Sequence, residues 1–449
     1  MRVARKAPPE IKDWAEWYYA RLVSAEEAVR HVKSGDRVVI PIGGEPRLLP
    51  KALYARREEL RDVDIFTVAP PTDFGWFSPE TRGPFNVIVA NFIGRTATEA
   101  VRSGRVDFSP LPFSMSFKAM DERPQEEPPP DVVMCTVSQP DPHGYCSFGM
   151  AMWNKKGYIQ RGKTVLAEVD GRLGRTFGDN HIHVSEIDWF VEHTPTAEPP
   201  LGRGLYGEPE ARHKPIAEAV NSLLKHGDTI QIGGGTTAHA MGWLGAFEGK
   251  EDLGIHSEGL ALPLAKLVKA GQFTGKYKTL HTGKAVATCF LGDEEDVAYM
   301  DSNPLFELYP VDYVNSIRTI AAHDNFVALN NALAVDLMGQ VSSESVGPRM
   351  WLGAGGQVEF ALGATLSKGG RSLILLPSTT HGGATRIVPT LPEGTRVTAL
   401  WHFVDYVITE YGIARLLGKS QRQRIEELIA VAHPDHRAEL RKAAQKLYG

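Results

Sequence analysis

The chain has three cysteines, Cys135, Cys146 and Cys289, and no CxxC spacing joins them, which argues against a disulfide framework and a zinc site. They read as reduced core thiols of a cytosolic protein. Long hydrophobic runs are also missing: no stretch approaches the roughly 18 apolar residues of a membrane helix. The N-terminus, MRVARKAPPEIKDW, is too polar for a signal peptide, and Glu10 and Asp13 argue against a transit peptide, so the expected location is the cytoplasm. There is no Lys/Arg block, and the formal net charge is −5, so nucleic acid is not an expected partner. The absence of a Gly-x-Ser-x-Gly elbow disfavours a thioesterase of the α/β-hydrolase type.

What remains is a 449-residue chain, 42% hydrophobic and 23% charged, with the balance of a soluble globular protein of two or three domains. Residues 1–22 read as an arm whose aromatic half (Trp14, Trp17, Tyr18, Tyr19) docks on the body or on a second subunit. Ser24 and Glu27 open a helix as a capping box. Lys33-Ser34-Gly35-Asp36 closes it, Arg37–Ile42 is a strand running into Gly43-Gly44, Leu48–Leu60 a helix and Val63–Val68 a strand. The same order returns as helix Ile216–Leu224, Gly227-Asp228, strand Thr229–Ile232, glycines, helix Ala238–Phe247 and strand Leu253–His256. Gly35-Asp36 matches Gly227-Asp228, and Asp62 and Ile65 match Asp252 and Ile255, which predicts a duplicated α/β domain. Val68 then stands where the second copy has Glu258.

Strands alternate with helices elsewhere (85–92, 164–168, 373–376, 406–409), predicting mainly parallel sheets with helices on both faces. The expected organisation is the arm 1–22, an α/β domain 23–193, a Pro/Gly-rich linker 194–214 and a similar α/β domain 215–449. Pro-rich 122–130 reads as a surface loop, and Gln421–Tyr448 as a helix broken at His433-Pro434.

Candidate chemistry centres on DLGIHSEGL, Asp252 to Leu260, where a buried strand delivers Glu258 just past its end. Gly233-Gly234-Gly235-Thr236-Thr237 ends the preceding strand. A carboxylate beside bare backbone suits covalent chemistry on a carbonyl, with the carboxylate as nucleophile and N–H groups holding the oxyanion. A second cluster, Gly353-Ala354-Gly355-Gly356-Gln357, allows close backbone approach and matches neither GxGxxG nor a P-loop. His256 reads as a packed histidine. His181 and His183 share a strand face without a third ligand at recognisable spacing, so structural roles are favoured over a metal. Asp405 and Glu410 read as interface or packing features.

Several motifs converge on one family: GGGTT, GIHSE, YPVDYVN (Tyr309–Asn315), NALAVDLMGQV (Asn331–Val341), GAGGQVEF (Gly353–Phe360), SKGGRSLILLPST (Ser367–Thr379) and TEYG (Thr409–Gly412). The first half adds PDPHGYCSFG (Pro140–Gly149) and RTFGDNHIHVSEID (Arg175–Asp188). Together they resemble the acetyl-CoA hydrolase/transferase family, the class I coenzyme A transferases, from about Val23 to Leu440. The resemblance implies that Glu258 is the nucleophile and that Gly233–Thr237 and Gly355-Gly356-Gln357 are the CoA-binding loops. It further implies that Asn331 and Lys368 contact pantetheine or phosphate. Two departures, Gly259 after the glutamate and Glu45-Pro46-Arg47 in the first-domain loop, bear on which acid is used.

The expected reaction is ping-pong transfer of CoA between a short-chain acyl-CoA and a carboxylic acid through a glutamyl-CoA thioester, in a cleft between the domains that keeps water out. CoA is substrate, and no metal or permanently bound cofactor is required. An acyl-CoA hydrolase using the same Glu258 is the alternative, and a non-catalytic CoA-binding protein a more distant one. A homodimer or higher oligomer is expected.

Overall fold

A computed structural model describes residues 9–78, 81, 83–194, 207–260 and 263–449. The chain forms two compact units. One comprises Met1–Pro199 with Val297–Asp312, the other Pro200–Asp296 with Tyr313–Gly449.

The first unit holds seven parallel strands: β1 (Arg37–Ile40), β2 (Val63–Thr67), β3 (Phe85–Ala90), β4 (Asp107–Ser109), β5 (Val132–Val137), β6 (Thr164–Val169) and β7 (Trp189–Glu192). Their order is β7-β6-β5-β1-β2-β3-β4. The interior strand β5, VVMCTV, is buried at every position, as a parallel sheet covered on both faces requires. Cys135 and Cys146 lie in this core, and burial pushes both thiols up to about 12, so they pack as apolar side chains. The arm docks on its own unit. Asp13 caps helix Trp14–Tyr19, Tyr18 packs on Phe190 at 4.7 Å, and Trp17 donates to the Ile187 carbonyl.

The second unit holds β8 (Thr229–Ile232), β9 (Gly254–His256), β10 (Ala285–Ala287), β11 (Phe326–Asn331), β12 (Arg371–Leu375), β13 (Tyr406–Thr409) and β14 (Gly412–Arg415). They run in the order β14-β13-β12-β11-β8-β9-β10, parallel except for the β13–β14 hairpin. Helices Gln421–Val431 and Pro434–Tyr448 bury Leu428 and Ile429, with the break where His433-Pro434 places it.

The duplication holds bond for bond. The Gly35 N–H donates to Arg61 O and the Gly227 N–H to Glu251 O, each at 3.0 Å. Asp36 and Asp228 each accept at 2.7 Å from the amide three residues upstream, of Lys33 and of Lys225. Gly35 and Gly227 take left-handed φ values of +82° and +76°, and Asp62 and Asp252 both sit at +55°. With strand order β6-β5-β1-β2-β3 repeated as β12-β11-β8-β9-β10, the two units are copies of one α/β plan.

Residues 297–312, expected in the second domain, belong with the first unit. Strand Phe306–Leu308 pairs with Phe177–Gly178, Ser302 N–H donates to Arg175 O, and Val311 N–H donates to Trp153 O. These backbone bonds span well over a hundred residues of sequence, and local composition carries no trace of them. Of the expected linker 194–214, residues 195–206 lie outside the described residues, and His213 already opens helix His213–Leu223.

Candidate active site

In the second unit β8, β9, β11 and β12 end together at one edge of the sheet. The chain goes from β8 to β9 on one side and returns with β11 on the other, so the gap between β8 and β11 is a switch point, where ligands of open α/β sheets bind. Gly233–Gly235 follows β8, Asn331 ends β11 and Glu258 follows β9.

Gly233 and Gly235 are there for closeness. A methyl on Gly233 would overlap Asn330 Oδ1, and one on Gly235, whose φ is +124°, would meet Asn331 Nδ2. Asn331 braces the loop from below. Its Nδ2 donates to Gly234 O at 2.6 Å, and its Oδ1 accepts from Ala238 N at 2.8 Å, capping helix Thr236–Trp243. Gln357 Nε2 donates at 3.0 Å to Asn331 O, joining the second glycine loop to the first. The amides of Asn331 and Gln357 are therefore engaged within the protein, and both act as struts for the loops. Thr237 is buried, its hydroxyl toward His213, while Thr236 begins the helix, in the first turn where N–H groups have no acceptor within the helix itself.

Glu258 is partly exposed as a residue, but its carboxyl group is turned into the protein against Gly356. Asn315 Nδ2 donates to its Oε2 at 2.6 Å, and the Gly356 N–H donates to the same carboxylate. The Asn315 amide also reaches Glu359 Oε2 at 3.3 Å, so one NH2 group spans two carboxylates. Gly356 has an ordinary φ of −86°, yet a methyl there would overlap both Glu258 Oε2 and Asn315 Nδ2. Only glycine lets the loop close on the carboxylate. Burial pushes the Glu258 carboxyl up to about 8, with the charge of Glu359 adding to it, and the Asn315 and Gly356 hydrogen bonds hold it from rising further.

Sequence reasoning named Glu258, Gly233–Gly235, Thr236, Thr237, Asn331 and Gly355–Gln357, and this edge holds them all. It missed Asn315 and Glu359. Both lie inside quoted motifs, YPVDYVN and GAGGQVEF, and that was the available signal. Lys368 is not brought to this edge. Its carbonyl accepts from Asn325 N at the start of β11, its side chain is 88% exposed, and it pairs with Asp324. Helix Gln357–Leu366 separates it from the glycine loop, at the opposite edge of the parallel sheet from Glu258.

His256 is fully buried and packed, as expected. In the first unit, His183 Nδ1 bonds Ser185 Oγ at 2.8 Å and His181 lies edge-on to Tyr145. Asp405 accepts the Ser372 amide and Glu410 the Ser378 amide and hydroxyl, both packing roles. The first unit's counterpart of Glu258, Val68, is buried. A buried carboxylate at that unit's strand ends, Glu168, accepts from Arg47 N and Leu49 N at the start of helix Leu48–Ala55.

Residues 10–199 match the acetyl-CoA hydrolase/transferase N-terminal domain and residues 292–444 its C-terminal domain. The 4-hydroxybutyrate coenzyme A transferase of Clostridium kluyveri is 40% identical, over 97% of this chain and 100% of that protein. Its alignment bridges the interval that holds Glu258. RipA from Yersinia pestis superposes with a TM-score of 0.87 at 31% identity, covering 97% of this chain and 99% of RipA. The acetyl-CoA hydrolase of Saccharomyces cerevisiae matches at 34% identity over only 25% of this chain and 21% of that protein. With both domain models matched in order and full-length relatives of this similarity, the chain belongs to the acetyl-CoA hydrolase/transferase family.

Proposed function

We propose that the protein is a CoA-transferase that moves CoA between a short-chain acyl-CoA and a carboxylic acid, with Glu258 as nucleophile. The observation that carries this reading is the carboxylate held by Asn315 Nδ2 and the Gly356 N–H at a switch-point edge. The ionised oxygen of Glu258 attacks the thioester carbonyl, the C–S bond breaks, and CoA leaves as thiolate from an acyl–glutamyl anhydride. The thiolate attacks the glutamyl carbonyl carbon and expels the first acid as carboxylate, leaving a glutamyl-CoA thioester. The second acid then attacks that thioester, and the returning thiolate takes its acyl group, freeing Glu258. Whenever the glutamyl carbon becomes tetrahedral, its oxygen already faces two donors, which suits an oxyanion hole.

Full-length similarity to a named transferase, against partial similarity to a hydrolase, supports transfer over hydrolysis. A short-chain acid of the acetate, butyrate or 4-hydroxybutyrate type is the favoured acceptor. CoA enters as substrate, and neither a metal nor a permanently bound group takes part in these steps. We further place the enzyme in the cytoplasm, where its buried thiols stay reduced. A homodimer or higher homo-oligomer would cover Trp351 and Leu352, exposed at 44% and 46% beside the second glycine loop. The test is Glu258→Ala: transfer from acetyl-CoA to butyrate should vanish with the fold intact, and substantial residual transfer would overturn the assignment.

A further inference from the structure

Behind Glu258 the strand is tied to the segment that carries Asn315 by a side chain with no place in the reaction above. His256 ends β9, two residues before Glu258, and is 0% exposed. Its Nε2 lies 2.8 Å from the carbonyl oxygen of Val314, the residue before Asn315. A carbonyl only accepts, so Nε2 carries the hydrogen and donates. The ring stays neutral: burial, with His323, Lys278 and His281 around it, holds its protonation well below the ordinary range. His323 is itself fully buried, its ring 4.7 Å from that of His256, and Lys278 donates its ammonium to the carbonyls of Ile255 and Lys284. What His256 offers is one fixed hydrogen bond between two backbones, and those backbones carry the two ends of the 2.6 Å contact between Asn315 and Glu258.

We propose that His256 is a positioning residue for the transfer reaction: by donating Nε2–H to Val314 O, it sets the Asn315 amide against the Glu258 carboxylate. The proposal rests on Glu258 being the nucleophile. It makes a directional claim that plain core packing does not, because the effect of His256 must pass through Asn315. Loss of the Asn315 donor removes a bond that favours the ionised carboxylate, so the acid limb of the rate profile should move to higher pH. Glu359, across Asn315, reinforces that direction.

The experiment is a double-mutant cycle on His256→Met and Asn315→Ala, read as transfer rate and as the pH midpoint of the acid limb. His256→Met should slow transfer by about 10- to 100-fold, as expected for a hydrogen bond to a charged group, and shift the limb upward. In the Asn315→Ala background it should change the rate by less than about 2-fold, since the two act as one unit. His256→Gln, whose side-chain amide can donate to Val314 O, should recover most of the rate. If the Met variant does not fold, His256→Asn, too short to reach Val314, replaces it. Multiplicative effects, an unmoved acid limb, or a Gln variant no better than Met would overturn the proposal. Glu258→Ala runs alongside: residual transfer there would defeat the nucleophile assignment, whereas a dead Glu258→Ala with independent His256 and Asn315 effects would defeat the positioning role alone.

Discussion

Asn315 places its amide nitrogen 2.6 Å from Glu258 Oε2, although 57 residues separate the two in sequence. Among the described residues that amide donates to the carboxylate beside the Gly356 N–H, and it also bridges to Glu359. Its removal by Asn315→Ala should lower the transfer rate by roughly 10²- to 10³-fold, the usual cost of deleting one oxyanion donor. Steady-state kinetics would show the loss mainly in kcat, because the donor acts on the reacting carbon; a loss confined to KM would contradict this role.

Gly356 permits that arrangement by lacking a side chain. In Gly356→Ala the backbone is comfortable at φ −86°, so the protein should fold, while the methyl displaces Glu258 and Asn315. A misplacement on the order of 1 Å costs about 10²-fold in rate. Unchanged melting with a large fall in transfer is the expected pair of results.

Burial raises the Glu258 carboxyl from its ordinary 4.5 to about 8, so it is mostly neutral in the resting protein at pH 7. The nucleophile is the ionised form, so the rate of the first covalent step should rise with pH and level off above about 8. The stability consequence has the opposite sign. Between about 4.5 and 8 the unfolded chain has lost this proton and the folded one keeps it, so folding stability attributable to Glu258 declines as pH rises through that window. Glu258→Gln should therefore melt higher than the unsubstituted protein at pH 8.5, with the gain shrinking toward pH 5. A gain independent of pH would refute the shift.

Lys368 and Asn331 make a contrasting pair. Lys368 stands at the far edge of the sheet in an exposed ion pair with Asp324, so Lys368→Ala should leave transfer within about 2-fold, as for surface pairs in general. Asn331→Ala removes both braces of the Gly233–Gly235 loop and should raise KM for acyl-CoA substantially. Parallel titrations of acyl-CoA on the two variants separate the roles.

The reach of the sequence followed the range of the interactions. The Gly35-Asp36 and Gly227-Asp228 turns were readable because each is closed by bonds over a few residues, and their recurrence exposed the duplication. Glu258 and the two glycine loops were readable because strand ends and bare backbone announce themselves locally. The pairing of Asn315 with Glu258, and of residues 297–312 with the first unit, arises from contacts across tens to hundreds of residues. Lys368 lies apart from the other site residues for a related reason. It lies in a matching motif, but the ten residues of helix Gln357–Leu366 carry it about 15 Å from the glycine loop.

The most direct test is the intact mass of the protein after mixing with acetyl-CoA and no acceptor acid, followed by peptide mapping. A CoA adduct on the peptide containing Glu258, absent from Glu258→Ala, is the predicted result. Release of free CoA with no adduct, or an adduct on any other residue, would contradict transfer through Glu258.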